Sequence, residues 1–191
     1  RSLRAGEGAL LVVDASQGVQ AQTLANVYIA MENNLVLIPV INKIDLAVAQ
    51  PERVAQELQH TFGFKREEMV FISAKEGTGV PDVLKAVVER IPSPAGRPEG
   101  PLRALVFDSA YDSYKGVVAY VRVFDGAMHG RAHIRLMGSG NKAEALEVGI
   151  FRPQLVEIDA LTMGEVGYVA TGLKSIRQVP VGDTITLEER P

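Results

Sequence analysis

The 191-residue chain has no cysteine and no tryptophan. Without thiols it can form no disulfide framework, thiolate metal site or cysteine nucleophile, and the composition fits a reducing compartment. Long apolar runs are also missing. The longest, Leu35 to Ile41, has seven residues, far short of the roughly 18–20 that cross a bilayer. Charge of one sign is not in excess: 20 basic and 23 acidic residues leave a net charge of −3, and neither half is strongly biased. No basic field is therefore on offer to DNA, RNA or a membrane surface. No signal-peptide pattern opens the sequence, and Arg1-Ser2-Leu3-Arg4, without an initiator Met, reads as the interior of a larger protein. Finally, no glycine is followed by lysine, so the G-x-x-x-x-G-K-[ST] loop that cradles phosphates is not in this chain.

What is present describes a globular protein, 47% hydrophobic and 23% charged. The first half alternates strand and helix signals. Gly8 to Asp14 is a continuous apolar run, the pattern of a strand buried on both faces. Leu24, Val27, Tyr28 and Met31 follow at helical spacing. A second buried strand runs from Leu35 to Asn42. Pro51 opens a helix marked by Val54, Leu58 and Phe62 and closed by Gly63. Met69 to Ser73 is a third strand. Pro81 starts a last helix whose stripe Leu84, Val87, Val88 and Ile91 reads as core. This order predicts parallel strands in a doubly wound sheet. Between Ile91 and Pro101 lie four Pro and two Gly in eleven residues, which no helix or central strand tolerates. Beyond it, seven short runs rich in Val, Ile and Tyr, about ten residues apart, predict a small antiparallel barrel. The expected organisation is an α/β part over residues 1–95, a linker over 96–101 and an all-β barrel over 102–191.

Open parallel sheets bind ligands at the carboxyl ends of their strands. Those ends carry Asp14-Ala-Ser-Gln-Gly18, Asn42-Lys43-Ile44-Asp45 and Ser73-Ala74-Lys75. Asn-Lys-x-Asp suits guanine, whose ring N–H and exocyclic amine form a donor pair for one carboxylate. Adenine lacks that pair, so Asp45 would reject it. The stem of Lys43 can lie on the base, Asn42 can tie the loop to its neighbours, and the N–H of Ala74 can donate to the guanine carbonyl. The tetrapeptide arises by chance roughly once in forty chains of this length at ~5% usage per residue. Its place after a buried strand, with Ser-Ala-Lys ending the next, makes chance far less probable. The six residues Asn42, Lys43, Asp45, Ser73, Ala74 and Lys75 form the expected guanine-nucleotide site. No catalytic residue and no metal-ligand set are expected; His60, His129 and His133 share no ligand spacing. Asp14 has two readings, a nucleotide-site residue or simply the start of a turn completed by Gly18, and the second is favoured.

The sequence resembles the translational GTPases. Glu7 to Val19 with Gln22-Thr23 looks like the stretch after their second switch, and Asn42–Asp45 and Ser73–Lys75 match their last two nucleotide motifs. Phe107-Asp-Ser-Ala-Tyr-Asp-Ser-Tyr-Lys-Gly116 and Val121-Arg-Val-Phe-Asp-Gly126 are similar to the elongation factor 4 (LepA) branch of that family. The resemblance covers the whole chain and implies the C-terminal part of a doubly wound P-loop-type GTPase domain, then the β-barrel second domain of translation factors. It implies GTP/GDP as ligand, Mg²⁺ bound by residues outside this chain, and GTP hydrolysis on the ribosome beside ribosomal RNA, proteins and tRNA. A reverse movement of tRNAs, a cytoplasmic monomer and peripheral membrane association come with it. Alternatives are an elongation factor G-like GTPase and a non-catalytic docking fragment. The piece alone, lacking the phosphate loop and the switch Asp-x-x-Gly and His, is expected to be inactive. Tyr111, Tyr114 and Lys115 could touch ribosomal RNA or simply close the barrel, and Arg131 sits at a hairpin tip, Met128-His-Gly-Arg-Ala132, that departs from the family pattern.

Overall fold

The computed structural model describes residues 2–191 in two compact units, residues 6–93 and residues 94–191, the latter joined by residues 2–5. In the first, strands β1 (Gly8–Asp14), β2 (Val36–Asn42) and β3 (Val70–Phe71) alternate with helices α1 (Ala21–Glu32), α2 (Pro51–Phe62) and α3 (Val80–Arg90). The strands run parallel in the order β1-β2-β3, with Asp14 opposite Asn42 and Ile41 opposite Phe71. Helix starts and stops follow the local chemistry. Pro51 sits in the first turn of α2, and Gly63, at φ 77°, ends it in the left-handed conformation.

Helices pack on both faces of the sheet, on one of them only over β2 and β3. Leu11, Val13 and Ile41 pack with Val27 of α1 and Val54, Ala55 and Leu58 of α2. On the other face Ile38, Val40 and Ile72 pack with Val83 and Ala86 of α3. Each fully buried Val, Leu or Ile contributes about 1.5–3 kcal/mol. Three expectations are corrected. Strand β1 is buried on one face only, since Leu10 and Val12 are exposed. They share a face with their register partners Ile38 and Val40, but Val83 and Ala86 of α3 pack with Ile38, Val40 and Ile72. In α1 the contact is made by Val27 and Ala30, while Tyr28 and Met31 are exposed; in α3 it is made by Val83 and Ala86, while Leu84 and Val88 are exposed. Alanine lets the helix backbone approach the sheet closely, so the buried face is not the one with the largest side chains.

In the second unit an eight-stranded antiparallel sheet runs β10 (Gln154–Glu157), β9 (Glu147–Arg152), β12 (Val166–Ala170), β5 (Gly116–Asp125), β4 (Arg103–Asp112), β13 (Thr184–Leu187), β7 (His133–Leu136) and β8 (Lys142–Glu144). A two-stranded sheet, β6 (Ala127–His129) with β11 (Ala160–Thr162), completes the unit. Inward residues including Val106, Ala119, Val121, Ile134, Val148 and Ile185 form its core, joined by Met128 of β6 and Leu161 of β11. Those two strands have no alternation long enough to announce them in the sequence. The run over residues 143–151 is divided between two strands, because the chain changes partner at Ala145 and Leu146. There Ala145 N–H bonds Ala132 O (2.9 Å) and Leu146 N–H bonds Ala170 O (2.8 Å). Gly149 is required where it stands, since a Cβ would lie 2.5 Å from the ring of Tyr168 and 2.3 Å from the Val156 carbonyl.

The Pro-rich segment is built onto this unit. Arg97 N–H donates to Asp125 Oδ1 (2.7 Å) and Arg97 O accepts from Gly126 N–H (2.9 Å).

The loop between β7 and β8 hangs on one buried carboxylate. Asp183 accepts N–H bonds from Gly138 (2.6 Å), Ser139 (2.9 Å) and Thr184 (2.7 Å). Burial opposes its charge, yet these donors outweigh burial and hold the carboxyl below its ordinary range. A depressed native pKa stabilises the fold fully above the unfolded value, near 3.9, and that stabilisation is lost as pH falls through the native value. Asp183→Ala should therefore cost about 2–3 kcal/mol at neutral pH. In urea unfolding followed by circular dichroism, its deficit against the parent should shrink as the pH is taken below 3.9.

Candidate functional site

The carboxyl ends of β2 and β3 lie side by side, and one side chain joins them. Asn42 Oδ1 accepts hydrogen bonds from Lys43 N–H (2.7 Å) and from Ala74 N–H (3.0 Å), thirty-two residues away. Ile44 N–H adds a bond to Ile72 O (3.2 Å). Lys43 takes the left-handed conformation at φ 66°, which costs a non-glycine residue roughly 1–2 kcal/mol. The surroundings enforce it, with Lys43 N–H held by Asn42 and Lys43 O accepting from Leu46 N–H (3.2 Å).

Asp45 projects into solvent two residues on. The nearby Ser73 hydroxyl, with lesser help from the Lys75 and Lys43 charges, holds its carboxyl below the ordinary range. Ser73 is buried, its N–H donates to Thr78 O (3.0 Å), and its Oγ also accepts from Glu76 N–H (3.1 Å). An exposed, ionised carboxylate thus stands beside a buried serine. The feature suits a donor pair on a ligand.

The end of β1 contributes more than a turn. The main-chain oxygen of Asp14 accepts from Gln17 N–H (3.2 Å) and Gly18 N–H (2.9 Å), closing the turn the sequence announces. Its carboxylate serves both that turn and a contact beyond it. Oδ1 accepts from Ser16 N–H (2.8 Å) and Ser16 Oγ (2.6 Å), and Oδ2 meets Lys43 Nζ at 2.7 Å. The Lys43 ammonium, then the Ser16 donors, hold Asp14 well below the usual carboxylate range. The turn is fastened from α2, where Glu57 Oε2 accepts from Val19 N–H (3.1 Å). Gly18, at φ 76°, leaves room for that carboxylate, since a Cβ would meet it at 2.4 Å.

Of the six residues the sequence singles out, the structure thus brings Asn42, Lys43 and Ala74 into one bonded cluster and pairs Asp45 with Ser73. Lys75 points outward, 80% exposed, with its Nζ 3.4 Å from Glu76. The N–H of Ala74 is already engaged, so a ligand carbonyl would have to take it over from Asn42. Asp14 closes the turn that the sequence favours for it and in addition meets Lys43, a contact that its place opposite Asn42 in the register makes possible. In the barrel Tyr114 is 97% exposed. Lys115, by contrast, is tied to Glu147 Oε1 (2.6 Å), which also accepts from the Tyr168 hydroxyl. Asp112 accepts the N–H groups of Tyr114 and Lys115, making this loop a tight turn. Arg131 is exposed and left-handed at φ 65°. Among the described residues no set of three or more His, Asp or Glu gathers as metal ligands, and no helix is long and apolar enough to cross a membrane.

Residues 1–93 match the family model of the Elongation factor Tu GTP binding domain. Over all its 191 residues the chain is 54% identical to Elongation factor 4 of Geobacillus thermodenitrificans and 53% identical to Elongation factor 4 of Thermobifida fusca, covering 31% of each. The chain therefore spans about a third of the length of these relatives. The solved structure of translation elongation factor SelB from Methanococcus maripaludis, in its apo form, matches with a TM-score of 0.80 at 20% identity, over 97% of this chain and 41% of that one. At that identity the likeness concerns the fold.

The Asn42 junction is testable without any ligand. Asn42→Ala removes the shared acceptor of two N–H groups, each bond contributing about 0.5–1.5 kcal/mol. Amide hydrogen exchange at Ala74 should be about tenfold faster in the variant than in the parent, while amides in the barrel core keep their protection.

Proposed function

We propose that this chain, which belongs to the translational GTPase family and within it to the elongation factor 4 branch, carries the guanine-reading part of a protein that binds and hydrolyses GTP on the ribosome. One observation supports this above the rest: Asn42 locks the ends of two parallel strands together and so sets Lys43, Asp45 and Ala74 along one edge. In this reading ionised Asp45 accepts from the ring N–H and exocyclic amine of guanine, and Ser73 keeps it charged and aimed. The Lys43 stem lies against the base face, the Ala74 N–H passes from Asn42 to the base carbonyl, and Lys75 adds positive potential beside Asp45. Adenine, offering no donor pair, leaves the carboxylate unpartnered.

Phosphoryl transfer depends on a phosphate cradle, a bound Mg²⁺ and a positioned water. This chain has no Gly-Lys step and no gathered ligand set among its described residues, so its residues do not fit the ion. Hydrolysis in this proposal belongs to the full-length protein, and the chain by itself reads the base. Work on the ribosome beside tRNA, including their reverse movement, a cytoplasmic monomeric state and peripheral membrane association rest on family resemblance. For docking, Tyr114 and Arg131 are the better placed barrel residues, because Lys115 is held by Glu147.

Two measurements test the reading. In the full-length protein Asp45→Asn should weaken GDP at least tenfold and bind xanthosine diphosphate better, because an amide can donate to the carbonyl that replaces the guanine amine; unchanged GDP preference in competition binding would remove Asp45 as the reader. The 191-residue chain alone should release phosphate from GTP no faster than buffer, and multiple turnover in a phosphate-release assay would show a complete catalytic site within it.

A further inference from the structure

We propose that Asp14 is a positioning residue for nucleotide binding: from the end of the neighbouring strand its carboxylate holds the Lys43 ammonium, so that the lysine stem is set in place before a base arrives. The proposal rests on the reading of Lys43 as the base platform and adds the residue that fixes it.

Three observations carry it. First, the turn takes up the main-chain oxygen of Asp14, which accepts from Gln17 and Gly18, and one carboxylate oxygen, but makes no use of Oδ2. Second, its two oxygens divide the work. Ser16 holds Oδ1 through both its N–H and its hydroxyl, which fixes the carboxyl plane and leaves Oδ2 for Lys43 Nζ at 2.7 Å. Third, Lys43 is left-handed at φ 66°, and its side chain reaches the end of β1, whose Asp14 stands opposite Asn42 in the register. The backbone conformation and the ion pair thus specify one placement of the lysine.

The physical consequence is preorganisation. A lysine side chain loses more rotamer freedom on ordering than almost any other, and fixing it in advance lowers the cost of binding. The Asp14 side chain is 18% exposed and that of Lys43 53%, so the pair is partly screened and its effect is modest. It acts on how long the nucleotide stays rather than on which base is chosen, since Asp45 makes that choice.

The test uses the full-length protein and fluorescently labelled GDP, with association and dissociation measured by stopped flow. Asp14→Asn keeps the main-chain turn and an oxygen for Ser16 but removes the charge facing Lys43. It should weaken GDP about fivefold, chiefly by faster dissociation, without changing guanine-over-xanthine preference. Lys43→Ala should weaken GDP as well, and Asp14→Asn added to it should cost nothing further, because the two act as one unit. Ser16→Ala, which only loosens Oδ1, should give about a twofold loss in the same direction. If Lys43→Ala weakens GDP while Asp14→Asn does not, or if the two losses multiply, the proposal is overturned and the base-reading site stands. If Lys43→Ala itself leaves GDP binding unchanged, the platform reading falls and takes this proposal with it.

Discussion

Two backbone N–H groups, at the ends of adjacent parallel strands, converge on one amide oxygen, and the candidate site exists because they do. Asn42 Oδ1 fixes Lys43 and Ala74 together, and every other contact of the site is placed relative to that junction. The left-handed step at Lys43 follows from it, the lysine turns back to Asp14, and Asp45 emerges beside the buried hydroxyl of Ser73. An aspartate at position 42 would bring a second negative charge close to Asp14. A neutral acceptor joins the strands without that repulsion.

The barrel uses the same economy on a different scale. Glu147 accepts from both the Lys115 ammonium and the Tyr168 hydroxyl, so one carboxylate holds the β4–β5 turn against β9 and satisfies a fully buried tyrosine. Burial first, then the Glu147 bond, raises the Tyr168 pKa beyond any physiological range. The hydroxyl stays a donor. Gly149 belongs to this arrangement, because only its missing side chain lets the tyrosine ring lie across the strand.

Much of this was legible in the residues. The change from helical to alternating periodicity, the Pro-rich break and the turn signals gave the α/β and all-β parts, and spacing alone gave Asn42 to Asp45 and Ser73 to Lys75. What was not legible has physical causes. The buried faces of α1 and α3 are carried by Ala30 and Ala86, small residues that a search for large apolar side chains passes over. Strands β6 and β11 are three residues each, too short for a period. The engagement of Lys115 by Glu147, and of Ala74 by Asn42, joins positions thirty-two apart, and local chemistry does not reveal which distant partner a polar group finds. Asp14 is a further case: its turn is legible locally, while its contact with Lys43 follows only from the register of β1 and β2.

The uncovered face of β1 also sets how the molecule behaves among its own kind. Leu10, Val12, Leu84 and Val88 present apolar surface to solvent within the first unit, as do Tyr28, Ile29 and Met31, while a net charge of −3 over the chain supplies little mutual repulsion. Exposed apolar surface with weak charge is colloidally unfavourable. The most exposed of them, Val88 and Leu84 on α3, can be replaced by polar residues with little taken from the packed core of Val83 and Ala86. On that helix the side chains that govern solubility are not the ones that hold it to the sheet.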